Sequence, residues 1–285
     1  MQARIAKFSF SPSTQLTILS LLAWLCVSPV TLAQENATEF LRKAEADSQG
    51  RAWKKLWNEE DLSDFDIAID SRALNEDPLG IYQVVDGTIH VYRDSPAGTE
   101  MPMGVLVTRE PYSDYRMRFE YRWGEKKFVP RTEVVRDAGL LYHVVRELKV
   151  WPRSVECQVQ EGDTGDVWTV FAEVDATVVP DGDEFRYAPT ASGGVRRSFG
   201  SMDGIARIIK QSDQEKDGWN QVEVIVRGDS ALHLVNGEPI AFVTNMRQPG
   251  ESPGSTKPLT SGRLAFQAEC AEVIYRNLEI LPLGD

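Results

Sequence analysis

The stretch Ser154-Val155-Glu156-Cys157-Gln158-Val159-Gln160-Glu161-Gly162-Asp163-Thr164-Gly165-Asp166 has the period of a β-strand with one polar face. Because side chains alternate along a strand, Glu156, Gln158 and Gln160 share one face and Val155, Cys157 and Val159 share the other. Glycine and aspartate residues then end the strand. Such a polar face suits either a binding cleft or the wet side of an ordinary half-exposed strand.

Short strands separated by turns make up most of the sequence around this stretch. About twelve segments are rich in branched or aromatic residues, and no helical period intervenes between them. The pairs Asp86-Gly87, Gly228-Asp229 and Asn236-Gly237 tolerate positive φ and predict tight hairpins. We therefore predict an all-β fold, a two-sheet sandwich of jelly-roll type.

The boundaries of this sandwich are predicted from changes in pattern. Residues 34–50 form a linker or a short N-terminal helical segment, and residues 51–285 form the sandwich domain. Within it, residues 180–214 show little periodicity and are too long for a routine connection. Such a loop either walls a binding site or is a disordered surface excursion.

The first 33 residues have the pattern of a bacterial-type signal peptide. Arg4 and Lys7 provide a positive start, an apolar run follows, and Thr31-Leu32-Ala33 offers small residues for cleavage. The apolar run is short for a membrane span, which needs about 18 residues or more. We therefore expect an exported protein, periplasmic or extracellular, without a membrane span.

The charge balance is acidic, with 31 basic and 43 acidic residues and a formal net charge of −12. Removing residues 1–33 takes away two basic residues and leaves 29 against 43, a net charge of −14. Nucleic acid is a poor partner for such a chain. Solvated carboxylates are otherwise ordinary in exported proteins.

Two cysteines, Cys157 and Cys270, lie beyond the predicted cleavage site. An oxidising compartment would allow them to form a disulfide, and closing so long a loop could add about 3–5 kcal/mol. Two separate buried thiols are the alternative. No Cys/His spacing indicates a zinc or redox site.

Nine segments, in order along the chain, resemble the DUF1080 family, also called 3-keto-disaccharide hydrolase domains. Together they run from residue 53 to about residue 281. They are Trp53–Ser63, Val85–Ile89, Tyr112–Arg122, Asp137–Leu141, Val155–Val159, Asp217–Val224, Val235–Gly237, Gly262–Gln267 and Tyr275–Ile280.

The resemblance implies a concanavalin A-like jelly roll with a ligand on its concave face, and cleavage of glycosides oxidised at carbon 3. A ketone at C3 acidifies the proton at C2, so a positioned base can remove it and the C1 substituent can leave. The partner would be a carbohydrate, an oxidised disaccharide or glycoside. By contrast, a retaining glycosidase needs two carboxyls about 5 Å apart.

Candidate catalytic residues are His143, Glu156 and Glu161. Glu156, Gln158 and Glu161 have the bulged spacing found in retaining glucanases of sandwich architecture, but Gln158 stands where those enzymes carry aspartate. In Leu140–Val145, alternation places His143 on one face with Leu141 and Val145. A histidine can act as base or acid, although a histidine in a strand is often structural.

Candidate substrate-binding residues combine hydrogen-bonding groups with an aromatic platform. They are Asp137, Gln158, Gln160, Arg118, Arg122 and Trp168. Asp137 stands where the family motif has asparagine. Trp151 is a second platform, and core packing is the alternative for both tryptophans. For Arg118 and Arg122, which share a strand face with Glu120, the alternative is a solvated, salt-linked face.

No cofactor motif is present, but the carboxylates near the polar strand could bind a divalent cation such as calcium, with Glu156 and Asp163 as ligands. Motifs for serine hydrolases, phosphoryl transfer and dinucleotides are missing. The sequence predicts an exported carbohydrate-active protein that cleaves 3-keto-glycosides by hydrolysis or elimination. A glycan-binding module of the cell envelope and a retaining β-glucanase-like glycosidase are the alternatives.

Overall fold

The computed structural model describes residues 36–145 and 147–283. The predicted signal peptide lies outside the described residues, as does Arg146. Within these two ranges, no helix has the length and apolar character needed to cross a membrane.

The chain contains one α-helix, α1 (Ala37–Ser48), and a 3₁₀ turn (Thr190–Ser192) within the described ranges. Asn36 caps α1, because its side chain accepts a hydrogen bond from the Glu39 amide at 2.9 Å. Phe40 is buried on this helix, and its ring lies 5.0 Å from that of Phe242. The helix is therefore packed against the sandwich.

The strands range from 2 to 13 residues in length and pair with antiparallel neighbours. In chain order they are β1 (Lys54–Lys55), β2 (Phe65–Ile69), β3 (Tyr82–Val85), β4 (Thr88–Val91), β5 (Gly104–Thr108), β6 (Tyr115–Lys127), β7 (Asp137–Val145), β8 (Arg153–Gln160), β9 (Val167–Val170), β10 (Glu173–Asp181), β11 (Glu184–Tyr187), β12 (Val195–Gly200), β13 (Ile205–Ile208), β14 (Asn220–Arg227), β15 (Ser230–Val235), β16 (Glu238–Pro249), β17 (Thr256–Pro258), β18 (Arg263–Ala268) and β19 (Ala271–Pro282).

Two sheets form the sandwich, which confirms the predicted all-β fold. The larger sheet has twelve strands, with the path β11-β10-β16-β15-β14-β6-β19-β4-β3 and with β1, β12 and β17 paired beside it. The smaller sheet has seven, in the order β13-β9-β8-β7-β18-β5-β2. The three predicted hairpins are confirmed, since β3 pairs with β4, β14 with β15 and β15 with β16.

The core lies between the sheets. Val155, Cys157 and Val159 of β8 are fully buried in it, so the other face of β8 points away from the larger sheet. A smaller apolar cluster, which includes Leu141 and Val144, lies on that outer face of the seven-stranded sheet.

Residues 180–214 differ from the prediction of an irregular loop. They contain β11, β12 and β13, and β13 forms one edge of the seven-stranded sheet. These short strands mix polar and apolar residues, so their sequence shows no clear period. They are strands because they pair with β9 and β10, and that pairing cannot be read from their own residues.

Candidate functional site

A cleft of about 560 Å³ opens on the outer face of the seven-stranded sheet. Its polar lining comes from Arg131, Asp137, Glu156, Gln158, Gln160, Asp203 and Glu269. Its apolar lining comes from Trp151, Trp168, Val170, Phe171 and Ile205, with Gly204 beside them. A cleft of this size is typical of sites for small ligands.

Neighbouring strands bring the polar side chains together. Asp137 faces Gln160 across β7 and β8, Gly139 faces Gln158, and Glu156 faces Trp168 across β8 and β9. Glu269 directly follows β18, the other neighbour of β7. Directly opposed residues share a face, so these side chains converge on one floor.

Three carboxyl groups in this floor are almost fully buried. Glu156 is 3% exposed, Glu269 4% and Asp137 5%. The Arg131 guanidinium pairs with Asp137 and lies 3.9 Å from Glu269 Oε2. No hydrogen bond to the Glu156 carboxylate is formed by any residue in the described ranges. The positive charge of Arg131 thus stands beside two of the three carboxyls.

Burial raises the pKa of each of these carboxyls. The pKa of Glu156 lies well above its usual range because of burial and then because of the charges of Glu269 and Asp137. Burial raises the pKa of Glu269 in the same way, with a further increase from the charge of Asp137. Burial raises the pKa of Asp137 to about 6, although Arg131 opposes that shift. Burial and like charge thus both favour the protonated forms of these carboxyls.

Several buried polar atoms in and beside the cleft have no hydrogen-bond partner among the described residues. Nine buried side-chain nitrogen and oxygen atoms lack a partner among the described residues, and six belong to this region. These six are Arg131 Nε, Asp137 Oδ1, Gln158 Oε1, Trp168 Nε1 and both amide atoms of Gln267. Since buried polar groups are nearly always paired, this concentration is typical of a ligand site.

Gly139 makes room for two of these side chains. A Cβ atom at this position would lie 2.1 Å from Gln267 Oε1 and 2.3 Å from Glu156 Oε1. Any side chain larger than hydrogen would therefore displace both groups from above β7. Glycine is therefore the residue that fits this position of the Asp137–Leu141 segment without a steric clash.

Several predicted site residues lie in this cleft, namely Glu156, Asp137, Gln158, Gln160 and Trp168. Gln160 also donates a hydrogen bond to Asp163 Oδ2 at 2.8 Å. The polar face of β8, Asp137 and the predicted aromatic platform Trp168 thus line the same cleft.

His143 is not among them, and its predicted position was wrong. The register shifts between Tyr142 and Val145, and His143 has a φ of 53°. This bulge breaks the alternation, so the His143 ring turns to the inter-sheet side, 3.3 Å from the Gly228 carbonyl and 6.4 Å from the Tyr115 ring centroid. Burial lowers the pKa of His143 to about 4.

Glu161 also lies outside the cleft. It is exposed on the turn after β8, where Arg136 donates a 2.7 Å hydrogen bond to Glu161 Oε1. That hydrogen bond lowers the pKa of Glu161. The bulged pairing of Glu156 with Glu161, on which the retaining glycosidase depended, is therefore wrong.

Arg118 and Arg122 are on β6, in the twelve-stranded sheet, so their predicted position in the cleft was wrong. Arg118 binds Glu279 at 2.7 Å and lies over Trp53. Arg122 lies 5.1 Å from the Trp219 ring centroid. Both belong to a solvated face of charged and aromatic side chains.

The predicted disulfide was wrong, because Cys157 and Cys270 are separate buried thiols. The structure gives no cation-binding group around Glu156 and Asp163. Asp163 instead pairs with Arg207 at 2.9 Å, and within 36–145 and 147–283 no three His, Cys, Asp or Glu side chains are placed to hold a metal ion.

Sequence reasoning missed Arg131, Gln267 and Glu269. Ala265, Gln267 and Glu269 alternate as the residues of β8 do, so the period could have indicated a second polar strand end. Arg131 follows β6 in an irregular segment and carries no pattern that could have identified it.

Comparison with known families shows that residues 52–281 match the model of the 3-keto-alpha-glucoside-1,2-lyase-like domain. A search of curated proteins found no match.

Similar solved structures include two candidate glycosyl hydrolases from Parabacteroides distasonis ATCC 8503. The first is 18% identical with a TM-score of 0.49, over 85% of this chain and 97% of that one. The second is 14% identical with a TM-score of 0.46, over 80% and 98%. A carbohydrate-binding module, CBM66 from Bacillus subtilis, is 8% identical with a TM-score of 0.39, over 81% and 96%.

Proposed function

The chain belongs to the 3-keto-alpha-glucoside-1,2-lyase-like domain family, and from this premise we propose that it cleaves glycosides whose sugar carries a ketone at carbon 3. The observation that carries the proposal is the group of three buried carboxyls beside one guanidinium in a cleft. Its partner is a carbohydrate, and its reaction is elimination with or without the later addition of water.

The reaction needs one group that takes a proton and one that gives a proton. In the elimination, the C2–H and C1–O bonds break, a C1=C2 double bond forms, and the leaving oxygen takes up a proton. Negative charge develops on the C3 oxygen as the C2 proton departs, so a nearby cation lowers the barrier. Addition of water across the double bond would complete hydrolysis.

Glu156 is the proposed base. It lies at the centre of the floor, over Gly139, and its carboxylate has no hydrogen-bond partner among the described residues. A carboxylate with a raised pKa is a stronger base than one in water once it is ionised. The position of Glu156 and its basicity thus both suit removal of the C2 proton.

The reaction also needs a cation and a proton donor, and these come from Arg131 and from the pair of Asp137 and Glu269. Arg131 lies against both carboxyls and keeps Nε unpartnered, so this guanidinium can stabilise an enolate oxygen. Glu269 is the proposed acid for the leaving oxygen, since burial raises its pKa and so favours its protonated form. Gln158, Gln160 and Gln267 are proposed to hydrogen-bond the sugar hydroxyls.

One comparison of substrates tests the proposal. Purified protein is incubated with an aryl α-glucoside and with the same compound oxidised at C3, and release of the aglycone is followed. We expect release from the 3-keto compound alone. Release from neither would favour a glycan-binding module, and release from the unoxidised glucoside alone would favour an ordinary glycosidase. Export to the periplasm or the outside of the cell stays a prediction from residues 1–33.

A further inference from the structure

The cleft has two chemically different halves. The polar half lies over β7, β8 and the end of β18, where Asp137, Glu156 and Glu269 are buried. The apolar half lies over β9 and the edge strand β13, where Trp168, Val170 and Ile205 line the cleft. Trp151, which precedes β8, and Phe171, which follows β9, extend the apolar half.

The width of the cleft floor suits two rings side by side. The strands follow the order β13-β9-β8-β7-β18, and neighbouring strands are about 4.8 Å apart, so four steps cover about 19 Å. A sugar seated over the buried carboxyls of β7 and β8 leaves the floor over β9 and β13 free. The apolar half is therefore the part of the cleft that can take a second ring.

Two side chains of the apolar half are unusually exposed for their type. Ile205 is 61% exposed and Trp151 is 38% exposed, although both are large and hydrophobic. Grouped exposed apolar side chains mark binding surfaces, whereas single ones are ordinary. The Arg207 guanidinium, directly opposite Trp168 in the pairing of β9 and β13, lies 5.9 Å from the Trp168 ring centroid.

A second sugar would fit this half poorly. Its hydroxyl groups would need several hydrogen-bonding partners, but the apolar half offers the buried, unpartnered Trp168 Nε1 and the exposed Asp203 carboxylate. A flat aromatic ring needs few such partners and gains from stacking on tryptophan.

We propose that the apolar half binds an aromatic leaving group, so that the preferred substrates are 3-keto glycosides of phenols. The inference rests on the proposed function and narrows its substrate class. It makes Trp151, Phe171 and Ile205 specificity-determining residues that do not touch the reacting atoms.

The test compares two substrates in wild-type protein and in Ile205→Ser. The substrates are 4-nitrophenyl 3-keto-α-glucoside and methyl 3-keto-α-glucoside, and kcat/KM is measured for each. For each substrate, the kcat/KM of the variant is divided by that of the wild type, so the different reactivity of the two leaving groups cancels. We expect Ile205→Ser to lower kcat/KM at least about 10-fold more for the aryl than for the methyl substrate. Val195→Ser, at an equally exposed valine outside the cleft (62% exposed), is the control and should change neither.

A binding measurement separates this inference from the proposed function. Isothermal titration of the protein with unoxidised 4-nitrophenyl and methyl α-glucosides should show at least about 10-fold tighter binding of the aryl compound, lost in Ile205→Ser. Equal binding of the two compounds, or an equal loss of kcat/KM for both substrates in Ile205→Ser, would overturn the inference. Cleavage of no 3-keto glycoside would contradict the proposed function, and the titration would still decide the aryl preference.

Discussion

At the scale of single residues, the site is defined by three carboxyls that the fold keeps away from water. Asp137, Glu156 and Glu269 cannot all be ionised without repulsion, and within the described ranges the Arg131 guanidinium pairs with Asp137 and lies near Glu269. Burial and like charge both favour the protonated forms. Such groups stabilise the fold less than neutral side chains would, which is typical of functional sites.

Replacement of Glu156 with glutamine should abolish activity and raise stability. The pKa of Glu156 is raised in the folded state, so its contribution to stability is present at low pH and is lost as pH rises above the unfolded value of 4.5. We expect Glu156→Gln to lower kcat about 10³-fold and to raise the free energy of unfolding by about 1 kcal/mol at pH 8. Thermal unfolding should show a Tm higher by roughly 2–4 °C at pH 8 and no difference at pH 4. A lower Tm at pH 8 would contradict the burial of an ionised Glu156.

Replacement of Glu269 with glutamine should affect substrates according to their leaving groups. A proton donor matters when the leaving oxygen is basic and matters little for 4-nitrophenolate. We expect Glu269→Gln to lower kcat/KM about 10²-fold or more for methyl 3-keto-α-glucoside and less than about 10-fold for the 4-nitrophenyl compound. The control is Glu161→Gln, which lies outside the cleft and should leave both values unchanged. Equal losses on the two substrates would exclude Glu269 as the acid.

At the scale of single elements, β7 differs most from its sequence pattern. Alternation over Leu140–Val145 predicts that His143 shares a face with Leu141. The bulge at His143 instead puts Leu141 and Val144 together on the outer face of the sheet. The Gly262 backbone approaches this point so closely that a Cβ there would lie 2.4 Å from the His143 carbonyl carbon. The residue that leads into β18 thus packs against the bulge. Because this contact comes from a distant part of the chain, the alternation of residues along β7 alone does not reveal the bulge.

The geometry of β7 predicts that His143 is dispensable for catalysis. Asparagine tolerates the positive φ at this position, so His143→Asn preserves the backbone. We expect kcat/KM within about 3-fold of wild type, because the ring faces the inter-sheet core rather than the cleft. The measurement is made on protein whose circular dichroism shows a native fold. A loss of 100-fold or more in folded protein would restore the catalytic role that the sequence suggested.

At the scale of the whole molecule, stability comes from the core between the two sheets rather than from covalent cross-links in the described ranges. Cys157 is packed in that core, and Cys270 Sγ lies 3.4 Å from the Met101 carbonyl, within the same apolar cluster. Burial raises the pKa of both thiols, so neither is a ready nucleophile.

Both thiols should therefore react only after unfolding. Native protein treated with iodoacetamide should show no alkylation of Cys157 or Cys270 by peptide mass spectrometry, and protein in guanidinium should show both alkylated. The midpoint of unfolding should not depend on added reductant. A Cys157–Cys270 linked peptide from a non-reducing digest would contradict the structure.

The sequence by itself determined the features that depend on near neighbours in the chain. These are the strands, the three hairpins at their glycine-containing turns, and the polar face of β8 with Glu156, Gln158 and Gln160. Strand alternation and turn conformation follow from backbone sterics within a few residues, so they can be read in order along the chain.

Only the tertiary structure decided which groups meet in the cleft. It brought Glu269 and Arg131 to Glu156, turned His143 toward the core, placed Arg118 and Arg122 on the other sheet, and separated Cys157 from Cys270. The physical reason is that strand order, register and bulges depend on contacts between residues far apart in the chain. No local period carries that information.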